Sequence, residues 1–185
     1  MFRNDGGKRF QDVTTSGGFG NLQKGHGVSF ADIDNDGDQD IYENMGGAVS
    51  GDVYPNVLYE NPGHGNHWIT LKLEGVQSNR AAIGARICAV VLSATGEHKY
   101  FKTVGTGGSF GASPLRQEMG LGQAQAIARL EIFWPRTGRT QVLTGLSMDR
   151  FYKVKEGETE AVPWNLKSFR LGSNAGEAHA HHHHP

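Results

Sequence analysis

The sequence predicts a mainly β protein: a single propeller-type blade with an Asp-rich hairpin loop, followed by an antiparallel β-sandwich. Three observations lead there. Glycine fills 27 of the 185 positions, about twice the usual share of roughly 7%, which favours tight turns and short strands over long helices. In residues 1–62 the apolar stretches are short and separated by clusters of Gly, Asp and Asn. From His67 onward apolar and polar side chains alternate with a period of two, the pattern of half-buried strands.

The length suits one domain, or one domain plus a fragment of another, and the change of texture favours the second. Residues 1–63 form the first unit, with strands expected at Phe10-Gln-Asp-Val13, Val28-Ser-Phe-Ala31, Ile41-Tyr42 and Val57-Leu-Tyr59. Four such strands in one sheet have the size of a propeller blade. Residues 64–157 form the second unit. Its strands are expected over 68–73, 86–92, 99–104, 129–134, 140–143 and 151–154, with Gly or Pro between most of them, as in a compact sandwich. A single short helical pattern covers 123–128. The last segment, 158–185, has little periodicity and reads as a mobile tail or one draped over the core. Its histidine cluster reads as an appended tag or an incidental run, with a native transition-metal site as the alternative.

Charge excludes one class of partner. With 18 basic and 19 acidic side chains the net charge is −1, so nothing attracts a phosphate backbone irrespective of sequence, and nucleic acid is not expected. No apolar run is long enough to span a bilayer, and the first residues lack the apolar region of a signal peptide. Cys88 is the lone cysteine, which rules out an internal disulfide; it reads as a small buried hydrophobe.

The chemistry concentrates in Asp32-Ile-Asp34-Asn-Asp36-Gly37-Asp38-Gln-Asp40, five aspartates within nine residues. Carboxylates so close repel one another unless a cation neutralises them. Asp32, Asp34 and Asp36 occupy loop positions whose side chains turn inward, Gly37 permits the sharp turn, Asp38 offers its carbonyl, and Asp40 contributes directly or through water. Hard oxygen donors select Ca²⁺. Glu43 completes the formal EF-hand spacing, yet the glycine-rich flanks 25–31 and Gly46-Gly47 leave no room for helices on either side. The loop is therefore expected to join two strands.

Phe10-Gln-Asp-Val-Thr14, the run from Gly25 through the acidic loop to Tyr42, and Asn56-Val-Leu-Tyr-Glu-Asn61 together resemble an FG-GAP/VCBS-type propeller blade. The resemblance implies calcium on Asp32, Asp34, Asp36, Asp38 and Asp40, whereas Glu43 is no part of that pattern. Asn66-His-Trp-Ile-Thr-Leu-Lys-Leu73, Ser78-Asn-Arg-Ala-Ala-Ile-Gly-Ala-Arg86, Gly107-Gly-Ser109, Met119-Gly-Leu-Gly122 and Leu130-Glu-Ile-Phe-Trp-Pro135 resemble the ASPIC/UnbV domain. In the cartilage acidic protein family that domain follows several blades. This chain has one at most, and a lone blade cannot close a ring. The resemblance thus implies the C-terminal part of a longer secreted or surface protein, with further blades as partners.

Catalytic readings are weak. Gly107-Gly-Ser109-Phe-Gly111 fits the nucleophile-elbow pattern, but a proline turn follows where a helix is needed, and no histidine beyond Asp149 lies outside the tail. His64 and His67 read as turn residues and His26 as structural. Of Arg80 and Arg86, one is expected to tie down a loop. Trp68 and Trp134 read as core, and Trp164 is not placed. The expectation is a non-enzymatic calcium-binding β-module for adhesion or ligand binding, with an unknown protein or glycan as ligand. The alternatives are a carbohydrate-binding module or an accessory part of a biosynthetic enzyme.

Overall fold

The computed structural model of the chain describes residues 1–47, 49–107 and 110–172. Ser109 of the elbow-like motif and the histidine cluster lie outside the described residues. Among the described residues there are thirteen strands and no helix.

The first unit opens with β1 (Phe2–Asp5) and β2 (Arg9–Asp12), an antiparallel hairpin closed through Gly6 and Gly7. The expected strand at 10–13 therefore does not join the blade sheet. Both glycines have positive φ, so a tight local turn pairs β2 with the segment just before it. β3 (Gly25–Ala31), β4 (Asp40–Met45) and β5 (Val57–Tyr59) form a separate three-stranded antiparallel sheet.

The second unit is a sandwich of two four-stranded sheets. One is ordered β11-β10-β7-β8 and the other β13-β12-β6-β9. The strands are β6 (His67–Glu74), β7 (Arg86–Ser93), β8 (Gly96–Thr103), β9 (Gln117–Gly122), β10 (Ala126–Trp134), β11 (Arg139–Leu143), β12 (Arg150–Lys155) and β13 (Val162–Pro163). All pairs are antiparallel except β6 with β12.

Alternation sets the inner faces. Ile69, Leu71 and Leu73 of β6 meet Ile87, Ala89 and Val91 of β7 and Leu130, Ile132 and Trp134 of β10 in one core. Each fully buried Leu or Ile there contributes about 1.5–3 kcal/mol. Trp134 is core as expected, and its indole N–H donates to Gln141 Oε1 at 2.8 Å, so the one polar atom of the ring is satisfied.

The helical pattern at 123–128 is a turn running into β10. Ile127 enters the core and pairs with Val91, so sheet pairing overrides a local alanine-rich preference. The tail is partly draped over the molecule. β13 pairs with β12, and the Trp164 N–H donates to the Phe151 carbonyl at 2.8 Å.

Because Ile69, Leu71 and Leu73 point inward, Trp68, Thr70 and Lys72 of β6 share the opposite face of their sheet. Glu118 of β9 and Phe151 of β12 border the same face through the Thr70 register. This face is covered. The β3–β4 loop lies on Trp68 and Glu118, and the 163–169 segment crosses beside them.

Candidate metal centre

The β3–β4 ladder ends at the Ala31↔Asp40 pair, leaving 32–39 as the connecting loop. Its own carboxylates wind it. Asp32 accepts the Asp36 N–H at 3.0 Å and the Gly37 N–H at 3.2 Å, and Asp36 Oδ1 accepts the Asp38 N–H at 2.9 Å. Asp40 accepts the Ile33 N–H on one oxygen at 3.0 Å and the Asn61 N–H on the other at 2.9 Å. Asn35 and Gly37 take left-handed φ values of 60° and 100°, which Asn and Gly tolerate better than other residues.

The winding gathers Asp32, Asp34 and Asp36, with one carboxylate oxygen from each within 4.8 Å of the others. Asp32 is fully buried and Asp34 nearly so. Among the described residues no hydrogen-bond donor meets the buried Asp34 Oδ1. Burial pushes the Asp32 carboxyl up to about 6, against the pull of the Arg116 guanidinium and with a further push from Glu118. Asp34 is raised by burial and by Asp36 and Asp40, and Asp38 by burial and by Asp36, with His64 opposing. Ionised together, these groups call for a cation.

The donor set fits a hard divalent ion. An oxygen that accepts one N–H keeps a second lone pair, so the backbone bonds to Asp32 and Asp36 leave room for a metal, and Asp34 Oδ1 is free. Asp38 and Asp40 lie beside the triad rather than within it. The Asp38 carboxylate faces Gly63, where a Cβ would come within 2.6 Å of Oδ2, and Asp40 holds the base of the loop. Glu43 sits in the ladder opposite Val28 and packs over Gly25. Strands, not helices, flank the loop, as its glycine-rich neighbours predict.

Residues from the sandwich complete the surroundings. Glu118, only 5% exposed, accepts the Asp32 N–H at 3.2 Å and the Gln39 amide at 2.6 Å. Arg116 donates to Glu118 Oε1 and to Asn35 Oδ1, each at 2.8 Å, and also to the Asp32 carbonyl. The Phe169 N–H donates to the Asp34 carbonyl at 3.0 Å, and the Asn35 amide to the Lys167 carbonyl at 3.2 Å. Sequence reasoning missed these residues. The one available signal was the charged pair Arg116 and Glu118 placed two apart on the edge of an apolar strand, which puts both on one face.

The other candidates separate. His67 Nδ1 lies 2.7 Å from Asp149 Oδ2, and Asp149 Oδ1 accepts the Trp68 N–H at 3.1 Å. The histidine of this pair precedes its aspartate in chain order, the reverse of the order that goes with a nucleophile elbow. Among the described residues no hydroxyl or thiol hydrogen-bonds the His67 ring. Arg86 lies over the Phe133 ring at 4.4 Å, and among the described residues no side-chain hydrogen bond joins Arg80 or Arg86 to a loop. Glu156 does so instead, accepting the N–H groups of Val76, Gln77 and Ser78 at 2.7–2.8 Å. Trp68, expected in the core, lies half-buried on the outer face under Gly37.

Fold and site define a small all-β module in which a blade-like sheet presents an acidic hairpin loop to the outer face of a two-sheet sandwich. Family models assign the parts. Residues 1–43 match the FG-GAP-like repeat and residues 75–161 match the ASPIC and UnbV model. The chain carries an FG-GAP-like repeat followed by an ASPIC/UnbV domain. The second match begins just after β6, although that strand is central to its sheet. No curated protein matches the chain.

Proposed function

We propose that the chain is a non-enzymatic, calcium-stabilised β-module of a secreted or surface protein, serving adhesion or ligand binding. The observation that carries the metal reading is Asp34 Oδ1, a buried carboxylate oxygen without a donor in a loop that gathers two further carboxylates. Leaving such an oxygen unpaired is costly, and a cation relieves it. Asp32, Asp34 and Asp36 hold the ion, with Asp38 and Asp40 supporting the loop that carries them. Calcium supplies positive charge that cancels carboxylate repulsion, so its role is structural. Extracellular modules of this chemistry work at free calcium of about 10⁻⁴–10⁻³ M, which supports a location outside the cell. Further blades of a longer parent chain are the natural neighbours of the three-stranded sheet.

The test is calorimetric titration of calcium into chelator-stripped protein. One bound ion per chain is expected, lost in Asp34→Ala. An absence of binding heat at millimolar calcium contradicts the reading.

A further inference from the structure

A second site stands on the sandwich, built from lysines and an indole. Lys72 on β6 and Lys153 on β12 are register partners in the parallel ladder. Their ammonium groups each lie 5.2 Å from the centroid of the Trp164 ring. Like charges directly opposite on neighbouring strands are unfavourable. Neither lysine forms an ion pair with any described residue. Trp164 is fixed in place by its N–H bond to Phe151 and by an edge contact with the Phe151 ring at 6.5 Å.

Two hollows meet here. One, of about 590 Å³, is lined by Lys72, Arg80 and Trp164, and the other, of about 540 Å³, by Lys72, Lys153 and Glu160; Glu74 lines both. Each volume suits a small ligand of several hundred Å³. The ammonium groups keep N–H donors for an anion, because a cation–π contact consumes none of them. Glu74 and Glu160 offer acceptors for hydroxyl groups, and the indole offers an apolar wall. Cation pair, carboxylate acceptors and aromatic wall together match a ring that carries both hydroxyls and an acid group. A phosphate chain carries a charge at every unit and has few hydroxyls to satisfy the glutamates, whereas a glycan that alternates acidic and neutral sugars can set its hydroxyls against them.

We propose that this surface binds an acidic oligosaccharide. A uronate carboxylate lies on Lys72 and Lys153, sugar hydroxyls donate to Glu74 and Glu160, and the ring packs beside Trp164. The proposal gives the ligand-binding reading a chemical class, and it rests on none of the aspartates of the metal loop.

The full chain is titrated with a hyaluronan hexasaccharide, with neutral maltohexaose and with a short oligothymidylate, in calcium and again in chelator. The hexasaccharide is expected to bind at least tenfold more tightly than either control. The Lys72→Gln, Lys153→Gln double variant loses at least tenfold with an unchanged melting temperature, since both side chains are exposed. The proposal is overturned if the hexasaccharide does not bind, if maltohexaose binds equally well, or if the double variant binds like the parent. Tighter, lysine-dependent binding of the oligothymidylate overturns it in favour of nucleic acid. Calcium binding is read separately by calorimetry, so either result can fail alone.

Discussion

Arg116 Nη1 donates to Asn35 Oδ1 at 2.8 Å, tying the approach to a sandwich strand to the tip of the acidic loop. The same guanidinium serves Glu118, which lies almost wholly out of solvent. Removing it leaves the buried Glu118 carboxylate with two neutral donors, the Asp32 N–H and the Gln39 amide, and without its guanidinium partner; breaking a buried pair costs about 3–5 kcal/mol. Because Arg116 is itself partly exposed, Arg116→Ala is expected to lower stability by about 3 kcal/mol in urea unfolding. Arg116→Lys recovers only part, since an ammonium cannot reproduce a fork that serves three acceptors.

Gly37 is a second joint between loop and sandwich. Its φ is 100°, and a Cβ there would lie 2.0 Å from Trp68 Cε2. Gly37→Ala combines backbone strain of about 1–3 kcal/mol with overpacking of similar size. A loss of about 2–4 kcal/mol is expected, with a shift in tryptophan emission as the loop lifts from Trp68.

Glu156 sets an acid limit. Burial works against its carboxylate, but the N–H and hydroxyl of Ser78 and the N–H groups of Val76 and Gln77 outweigh it, holding the pKa at about 2 against an ordinary 4.5. A depressed carboxyl pKa means that the folded chain favours the ionised form. Its stabilisation is complete above about 4.5 and is lost as pH falls towards about 2. Glu156→Gln is expected to cost about 1–2 kcal/mol at neutral pH. Urea unfolding at falling pH then shows the gap between variant and parent closing across that window.

The strands of the sandwich were legible because a buried face imposes a period of two: 129–134 obeys it strictly, and 68–73 and 86–92 keep their inward sets 69, 71, 73 and 87, 89, 91 although Thr70 and Val90 are buried as well. The acidic loop was legible because five aspartates around one glycine admit few other uses. Strand β1 was not, since Phe2–Asp5 has no buried face and forms by pairing alone. The same holds for the contacts that frame the acidic loop. Arg116, Glu118 and Phe169 lie 79 residues or more along the chain from the loop residues they bond, so no local pattern announces that they meet the loop. His67 and Asp149 became neighbours through the parallel β6–β12 pairing, and nothing in either strand's own pattern specifies that direction.

Calcium on Asp32, Asp34 and Asp36 is proposed to hold the loop. Without metal, the buried Asp32 carboxyl has its pKa raised from 3.8 to about 6. The folded chain then binds a proton more tightly than the unfolded one, so this group's contribution to stability falls as pH rises through that interval. A calcium ion bound there would relieve the cost, so its benefit would be full at neutral pH. The direct measurement is thermal unfolding at neutral pH in millimolar calcium and in chelator, for the parent and for Asp34→Ala. The parent is predicted to melt about 5 °C or more higher in calcium, while the two curves of Asp34→Ala coincide. Superimposed parent curves in calcium and chelator would rule out a structural ion in the loop.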